Sequence, residues 1–234
     1  MDSHFQDKTK LVNNVFSKVY KKYDLMNDIM SFGIHRLWKK KLINWMNPHK
    51  SSRLIDVASG TGDLAKIFSE KNNNHNNICC VEPNVNMLKM GKNKLKKYKN
   101  IKWHHASAEK LPFKDNTFDF YTISYGIRNV SNIDLCLKEA FRVLNTGGRF
   151  MCLEFSKIEN ELLNKIYKEY SKIIPVIGKY LVGDSMPYDY LIDSINKFYT
   201  QDQLQKLIEK NGFCNVEFRN LSNGISAIHS GWKI

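Results

Sequence analysis

The sequence predicts a doubly wound α/β sheet, and three observations carry that prediction. From Arg53 onward, short apolar runs rich in β-branched and aromatic residues alternate with segments of helical periodicity, as in βαβ units around a parallel sheet. The first run, RLIDVA (53–58), passes directly into a glycine turn, SGTG, and a helix start, DLAKIF. Near the end, two strand-like runs joined through Asn223-Gly224 predict an antiparallel hairpin at a sheet edge.

Taken in order, residues 8–47 are helical and rich in aromatics, so 1–47 is expected to form an appendage covering a site on the main domain, 48–234. Strands are expected at RLIDVA (53–58), NICCVE (77–82), IKWHHA (101–106), FDFYTIS (118–124) and RFMCLEFS (149–156). The helix after Ser131 carries Ile133, Cys136, Leu137, Ala140, Phe141 and Leu144 on one face; a Ser131/Asp134 pair is expected to cap it and Gly147-Gly148 to stop it. A stripe of Lys89, Lys92, Lys96 and Lys99 opposite Leu88, Gly91 and Leu95 reads as a solvated helix face. Beyond Leu153 a long helix bearing Ile158, Leu162, Ile166 and Tyr170 should end at Pro175, and the Gly/Pro/Tyr-rich stretch at about 174–190 has the composition of a lid. Thr200 and Gln203 form a capping box for a helix with Leu204, Leu207 and Ile208, closed by Gly212, before the hairpin CNVEFRNLS and ISAIHSGWK.

At 234 residues the chain is long enough for one sizeable domain with additions, and no apolar run reaches the length of a membrane span. The net charge of +13 is compatible with nucleic acid or an anionic membrane, yet much of it is lysine scattered among asparagines, as in KNKLKKYKN. The five cysteines lack metal or disulfide spacing and read as buried thiols in a reducing compartment. His104-His105 have no companions at ligand spacing, so no metal site is expected. The N-terminus MDSHFQDKTK has no signal-peptide core and little transit-peptide character.

Gly60-x-Gly62-x-x-Ala65 fits a nucleotide-binding turn, but it is flanked by acids: Asp56 ends the strand and Asp63 opens the helix. A helix N-terminus attracts anions, whereas fixed carboxylates repel a pyrophosphate. A ligand with an ammonium and a sulfonium suits that loop better, and S-adenosylmethionine has both. Its ribose needs a diol acceptor on the next strand, and Glu82 lies about 20 residues beyond Gly62. Ser107-Ala108-Glu109 are then placed to pass the adenine.

With these residues placed, a resemblance becomes legible. YDLMNDIMSFGIHRLW (23–38) resembles the N-terminal signature of the ubiquinone/menaquinone biosynthesis C-methyltransferases, and RVLNTGGRFMCLEFS (142–156) resembles their second signature, departing from it at Asn145-Thr146. DVASGTGDL, SAEKLPF, NTFDFYTISYGIRNV, LKEAFRVL and FYTQDQLQKLIEKNGF follow the family order, so the similarity covers roughly 11–232. The resemblance implies a class I S-adenosylmethionine-dependent methyltransferase with a seven-stranded, mostly parallel sheet, helices on both faces and an antiparallel C-terminal hairpin. It implies S-adenosylmethionine as co-substrate, without a metal, and C-methylation of a polyprenylated quinol ring. The expected acceptor is a 2-methoxy-6-polyprenyl-1,4-benzoquinol; demethylmenaquinol is the alternative. Donor positions map onto Thr61, Glu82, Ser107, Ala108 and Ser124, joining Asp56, Gly60 and Gly62.

Ring methylation requires a stabilised quinolate. Arg128, in SYGIRNV beyond the strand that carries Ser124, is expected to face the acceptor and supply that charge, with His35 as a proton acceptor. Tyr23, Met26, Asn27 and Tyr188 are expected to form the cover and the substrate wall. A prenyl tail and a basic surface imply peripheral membrane association, on the matrix side of the mitochondrial inner membrane in a eukaryote or in the cytoplasm of a bacterium. A quinone-biosynthetic assembly and a homodimer fit the same picture. Two other readings are an RNA methyltransferase, for which the chain lacks an Asn-Pro-Pro-aromatic or Pro-Cys motif, and a non-catalytic donor-binding subunit. No nucleic-acid partner is expected.

Overall fold

The computed structural model describes residues 33–158 and 186–234 continuously, together with Val12, Asp28, Ser31, Glu161, Lys165, Tyr167, Glu169 and Tyr170 individually. Its seven strands are β1 (Arg53–Val57), β2 (Asn77–Val81), β3 (Ile101–His104), β4 (Phe118–Ser124), β5 (Leu144–Phe155), β6 (Cys214–Leu221) and β7 (Ser226–Trp232). They form one sheet in the order β3-β2-β1-β4-β5-β7-β6, in which β7 runs antiparallel to both β5 and β6 and the other pairs are parallel. The expected sheet and terminal hairpin are present. The order reverses between β1 and β4, so the chain leaves these neighbours in opposite directions and opens a crevice at their C-terminal ends.

The six described helices are α1 (His35–Met46), α2 (Asp63–Lys71), α3 (Val85–Lys94), α4 (Ile133–Val143), α5 (Met186–Lys197) and α6 (Gln201–Lys210). Strand alternation decides which side chains they cover. Leu54, Ile78, Phe120, Met151 and Leu153 share a core with α1, α2 and α5, whereas Ile55, Val57, Tyr121, Ile123, Phe150 and Cys152 pack with α4 and α6. By the same alternation Asp56, Thr122 and Ser124 fall on the α1 face, so a residue of α1 can reach the polar ends of β1 and β4.

Helix α1 belongs to the sheet core: Trp38, Leu42, Ile43 and Met46 are buried with Leu64 and Phe68 of α2, and Trp38 Nε1 donates to Ser222 Oγ at 3.2 Å. Most of the expected appendage before it lies outside the described residues. The long helix expected from Ile158 to Pro175 and the lid residues 174–185 are likewise outside them, apart from single positions. Residues 186–190 are not lid. They open α5, where Tyr188 is fully buried, so the expectation of Tyr188 as a substrate wall is corrected to a core residue.

Two local expectations also change. Asn132 caps α4, accepting from the Leu135 amide at 3.0 Å, because the Ser131 amide is bound by Glu109 Oε1 at 2.7 Å. Gly147-Gly148 do not stop α4, which ends at Val143 and passes directly into β5. Gly147, at φ +78°, lets the strand bulge, and this glycine pair exchanges backbone hydrogen bonds with Lys233. The capping box at Thr200 and Gln203 forms as expected. Cys80, Cys136 and Cys152 are buried, but Cys214 is exposed.

The lysine stripe is solvated, while Met87, Leu88, Gly91 and Leu95 face inward. A Cβ on Gly91 would lie 2.2 Å from the indole of Trp103. Alanine is the better helix former by about 1 kcal/mol, but overpacking at a rigid indole costs about 1–3 kcal/mol. Gly91→Ala is therefore expected to lower the urea midpoint; an unchanged or raised midpoint would show that Trp103 moves freely.

Candidate functional site

The crevice at the β1/β4 switch point holds two adjoining clefts that share Ala58 and Tyr125 as walls. The larger, an open cleft of about 750 Å³, is lined by Gly60, Glu82, Pro83, Asn84, Met87, Ser107, Ala108 and Glu109, with Gly126 and Asn129–Ser131 opposite. The smaller, about 340 Å³, is lined by Lys39, Asp56, Ser59, Thr61, Asp63 and Ser124. Ala58 and Tyr125 both adopt left-handed backbone, at φ +51° and +56°, an uncommon conformation that concentrates at functional sites. Gly126 is required by packing: a Cβ there would come within 2.6 Å of the Ala58 Cβ.

The glycine turn is built from backbone bonds. Ser59 N donates to Val81 O at 3.1 Å, Gly62 N to Ser59 O at 2.9 Å, and Ser59 Oγ to Asp56 O at 2.6 Å. Gly62, at φ +82°, starts α2 and lies against Leu95 and Trp103, lining neither cleft. Glu82 ties this turn to the next one, its Oε2 accepting from Gly60 N at 2.8 Å and its Oε1 from Asn84 N at 2.9 Å. Each oxygen keeps a further acceptor site toward the cleft. Burial pushes the Glu82 carboxyl up to about 7 against the pull of those two amides.

Asp56 is buried at the end of β1 and accepts from Thr122 Oγ1 at 2.8 Å through Oδ1. Its Oδ2 has no partner among the described residues, and neither does Ser124 Oγ on the same face. Burial raises the Asp56 carboxyl to about 7, opposed by Thr122 and by the charge of Lys39. Asp63 behaves oppositely. Burial alone would raise it, but Lys39 and Lys94 outweigh that and hold it far below the usual range. Lys39 Nζ lies 3.1 Å from Oδ2 and Lys94 Nζ 2.8 Å from Oδ1, and Lys94 also donates to Thr61 Oγ1 at 3.0 Å. The sequence reading missed both lysines. Lys94 was readable only as a surface residue, and although 1–47 was expected to cover the site, nothing in linear sequence directs Lys39 of α1 to Asp63.

The structure thus brings Gly60, Glu82, Ser107 and Ala108 to one cleft and Asp56, Thr61 and Ser124 to the other. Tyr23, Met26 and Asn27 lie outside the described residues. His35, Arg128 and Tyr188 line neither cleft. His35 is buried in the first turn of α1, its Nε2 3.0 Å from Asp28 Oδ1 and its Nδ1 without a partner among the described residues. Burial and then Lys39 lower its pKa, with Asp28 pulling the other way. His104 packs edge-on to Phe113, and His105 Nε2 meets Pro83 O at 2.8 Å.

Arg128, expected to face the acceptor, is charge-paired within the protein. Its guanidinium is buried against Glu154 of β5, with Nη1 2.5 Å from Oε1, and Nη1 also donates to the Tyr125 carbonyl at 3.0 Å. Oε1 receives the Phe155 amide as well, whereas Glu154 Oε2 and Arg128 Nε have no described partner. The arginine therefore supports the strained Tyr125 peptide that forms part of both cleft walls.

The model of the ubiE/COQ5 methyltransferase family matches residues 4–233. The chain is 48% identical over 234 residues to the ubiquinone/menaquinone biosynthesis C-methyltransferase UbiE of Brucella suis, covering 97% of this chain and 87% of the relative. It is 49% identical over 235 residues to the UbiE of Rickettsia bellii strain OSU 85-389, covering 97% and 94%. Among solved structures, a possible histamine N-methyltransferase from Thermotoga maritima superposes with a TM-score of 0.68 at 20% identity, over 95% of this chain and 100% of that one. A Haemonchus contortus phosphoethanolamine N-methyltransferase 2 bound to S-adenosylhomocysteine gives 0.63 at 14% identity, over 84% and 52%.

Substitutions at two sites test this electrostatic reading. Arg128→Met leaves Glu154 buried without its partner and is expected to lose about 3–5 kcal/mol of unfolding free energy, much of it recovered in Arg128→Met/Glu154→Leu; an additive double loss would mean the two residues do not act as a pair. Asp56 has a folded-state pKa above its unfolded value, so the native state holds the proton longer and stability is lost as pH rises through about 7. Asp56→Asn removes that loss, and its stability relative to the unsubstituted protein should grow from pH 4 to pH 7 by about 1 kcal/mol per unit. A pH-independent difference in chemical denaturation would rule the shift out.

Proposed function

Because the chain belongs to the ubiE/COQ5 methyltransferase family, we propose that these clefts hold S-adenosylmethionine and that the enzyme methylates a ring carbon of a polyprenylated quinol. The observation that carries the reading is the set of acceptors at the switch point: Glu82 in the larger cleft, Asp56 Oδ2 and Ser124 Oγ in the smaller. Glu82 is anchored by two amides and retains lone pairs for a ribose diol. Ser107 and Ala108 flank the adenine, while Glu109 is engaged by the Ser131 and Asn132 amides and shapes that end without contacting the ligand. Gly60 and Thr61 bring backbone close to the donor. Asp56 and Ser124 take its amino-acid end.

The donor supplies an electrophilic methyl: its C–S bond breaks as a bond to the ring carbon forms, and the ring then loses a proton. The protein must hold the quinol near its oxygen anion and align the carbon. Arg128 acts as half of a neutral pair with Glu154, fixing the Tyr125 wall between donor and acceptor. His35, with Nδ1 unpartnered among the described residues and Nε2 on Asp28, is assigned as the proton acceptor, and Tyr23, Met26 and Asn27 as the cover. Residues before α1 and the segment 174–185 are assigned to the prenyl tail.

We assign the benzoquinol of ubiquinone synthesis as acceptor, with demethylmenaquinol as the competing substrate. The relatives are named for both ubiquinone and menaquinone biosynthesis, and they are bacterial. No described helix is long and apolar enough to cross a membrane, and the net charge of +13 supports peripheral contact with anionic lipid. A homodimer and a quinone-biosynthetic assembly remain part of this reading.

Incubation with S-adenosylmethionine and a short-chain 2-methoxy-6-prenyl-1,4-benzoquinol should give one added methyl on the ring by mass spectrometry, with no product from the oxidised quinone. Glu82→Ala should weaken S-adenosylhomocysteine binding about tenfold to a hundredfold, as for a lost charge-assisted hydrogen bond. Turnover of demethylmenaquinol alone would reassign the acceptor, and no turnover of either quinol would overturn the reading.

A further inference from the structure

Lys39 lines the smaller cleft with Asp56, Thr61 and Ser124. It reaches that position because α1 is locked onto the sheet by its neighbour Trp38 and by Leu42 and Ile43. Its side chain is only 8% exposed. A lysine so covered needs anionic partners, and an ammonium offers three N–H donors. The described partner is Asp63 Oδ2, and Asp63 divides its charge with Lys94 through Oδ1. Asp56 is the other acid on the wall, and its Oδ1 is engaged by Thr122. The cleft therefore has a cation on its α1 side, and unpartnered acceptor oxygens of Asp56 and Ser124 at the strand ends. A zwitterion with one carboxylate and one ammonium matches that division.

We propose that Lys39 is the cation that receives the carboxylate of the donor's amino-acid end, while Asp56 Oδ2 and Ser124 Oγ receive its ammonium. This rests on the donor reading above. It also reverses part of the sequence argument: Asp63 does not repel an anion at the turn but anchors the lysine that binds one.

The test is a thermodynamic cycle by titration calorimetry, with S-adenosylhomocysteine and its decarboxylated analogue, which keeps the amine and lacks the carboxylate. The unsubstituted protein should bind the decarboxylated ligand about tenfold to a hundredfold more weakly. Lys39→Met should weaken S-adenosylhomocysteine by a similar factor and leave the analogue within about twofold, so that the preference disappears. Lys39→Arg should keep it. Equal losses for both ligands would make Lys39 a support for the turn, and an unchanged preference in Lys39→Met would place the carboxylate elsewhere; either overturns the proposal. Should Lys39→Met fail to fold, Lys39→Gln repeats the cycle with the same expected outcomes. If the unsubstituted protein binds neither ligand, the donor reading itself fails.

Discussion

Two chain segments leaving the sheet side by side set the geometry of the whole site. β1 exits through Ala58 and β4 through Tyr125, both in left-handed backbone, and Gly126 lets them approach because a Cβ there would come within 2.6 Å of Ala58. Strain of this kind, about 1–3 kcal/mol per residue, persists only where the surroundings fix it. The surroundings here are specific: Arg128 and Asn129 hold the Tyr125 carbonyl, and the Tyr125 ring packs on Phe155. Ala58 and Tyr125 are also the walls common to both clefts, so the same constraint that turns the chain divides the site.

Burial of charge then follows a consistent rule. Arg128 and Glu154 are removed from water as a compensated pair, and the partly buried Asp63 is compensated by two lysines, Lys39 buried and Lys94 exposed. Such groups do little for net stability compared with apolar packing, and losing one member is costly. Their value is orientation: one fixes the Tyr125 peptide and the other fixes Lys39 beside the glycine turn. Asp56 and Glu82 are different, because each keeps acceptor capacity toward a cleft and both are pushed by burial to about 7.

How much of this was legible depended on range. Period-two and helical patterns, the capping box at Thr200 and the hairpin through Asn223 are local, and they appeared where the sequence placed them. The acids and glycines of the turn were legible because a strand, a tight turn and a helix confine them within a dozen residues. Gly147-Gly148 misled because the partner that draws the chain into a bulge is Lys233, far along the sequence. Tyr188 misled because its segment has loop-like composition while its ring fills a core assembled from α1 and the sheet. Arg128 was assigned to the acceptor, because its partner Glu154 lies on β5 and was indistinguishable in sequence from an ordinary strand residue.

The two kinds of carboxylate bear on how a basic protein would hold the proposed cationic donor. Asp63 is satisfied by lysines within the protein, so it offers little to a ligand and serves as an anchor. Asp56 and Glu82 carry the desolvation penalty of burial without a cation of their own directly bonded to them. In the proposed donor complex an ammonium at Asp56 would relieve that penalty, so that part of the binding free energy would be the removal of an unfavourable burial. The proposed diol at Glu82 would give a smaller relief, since a hydroxyl compensates a carboxylate less than a charge does. On the proposed reading, selectivity resides in which acids the fold leaves without a directly bonded cation, and the reach of α1 places Lys39 on Asp63 rather than on Asp56.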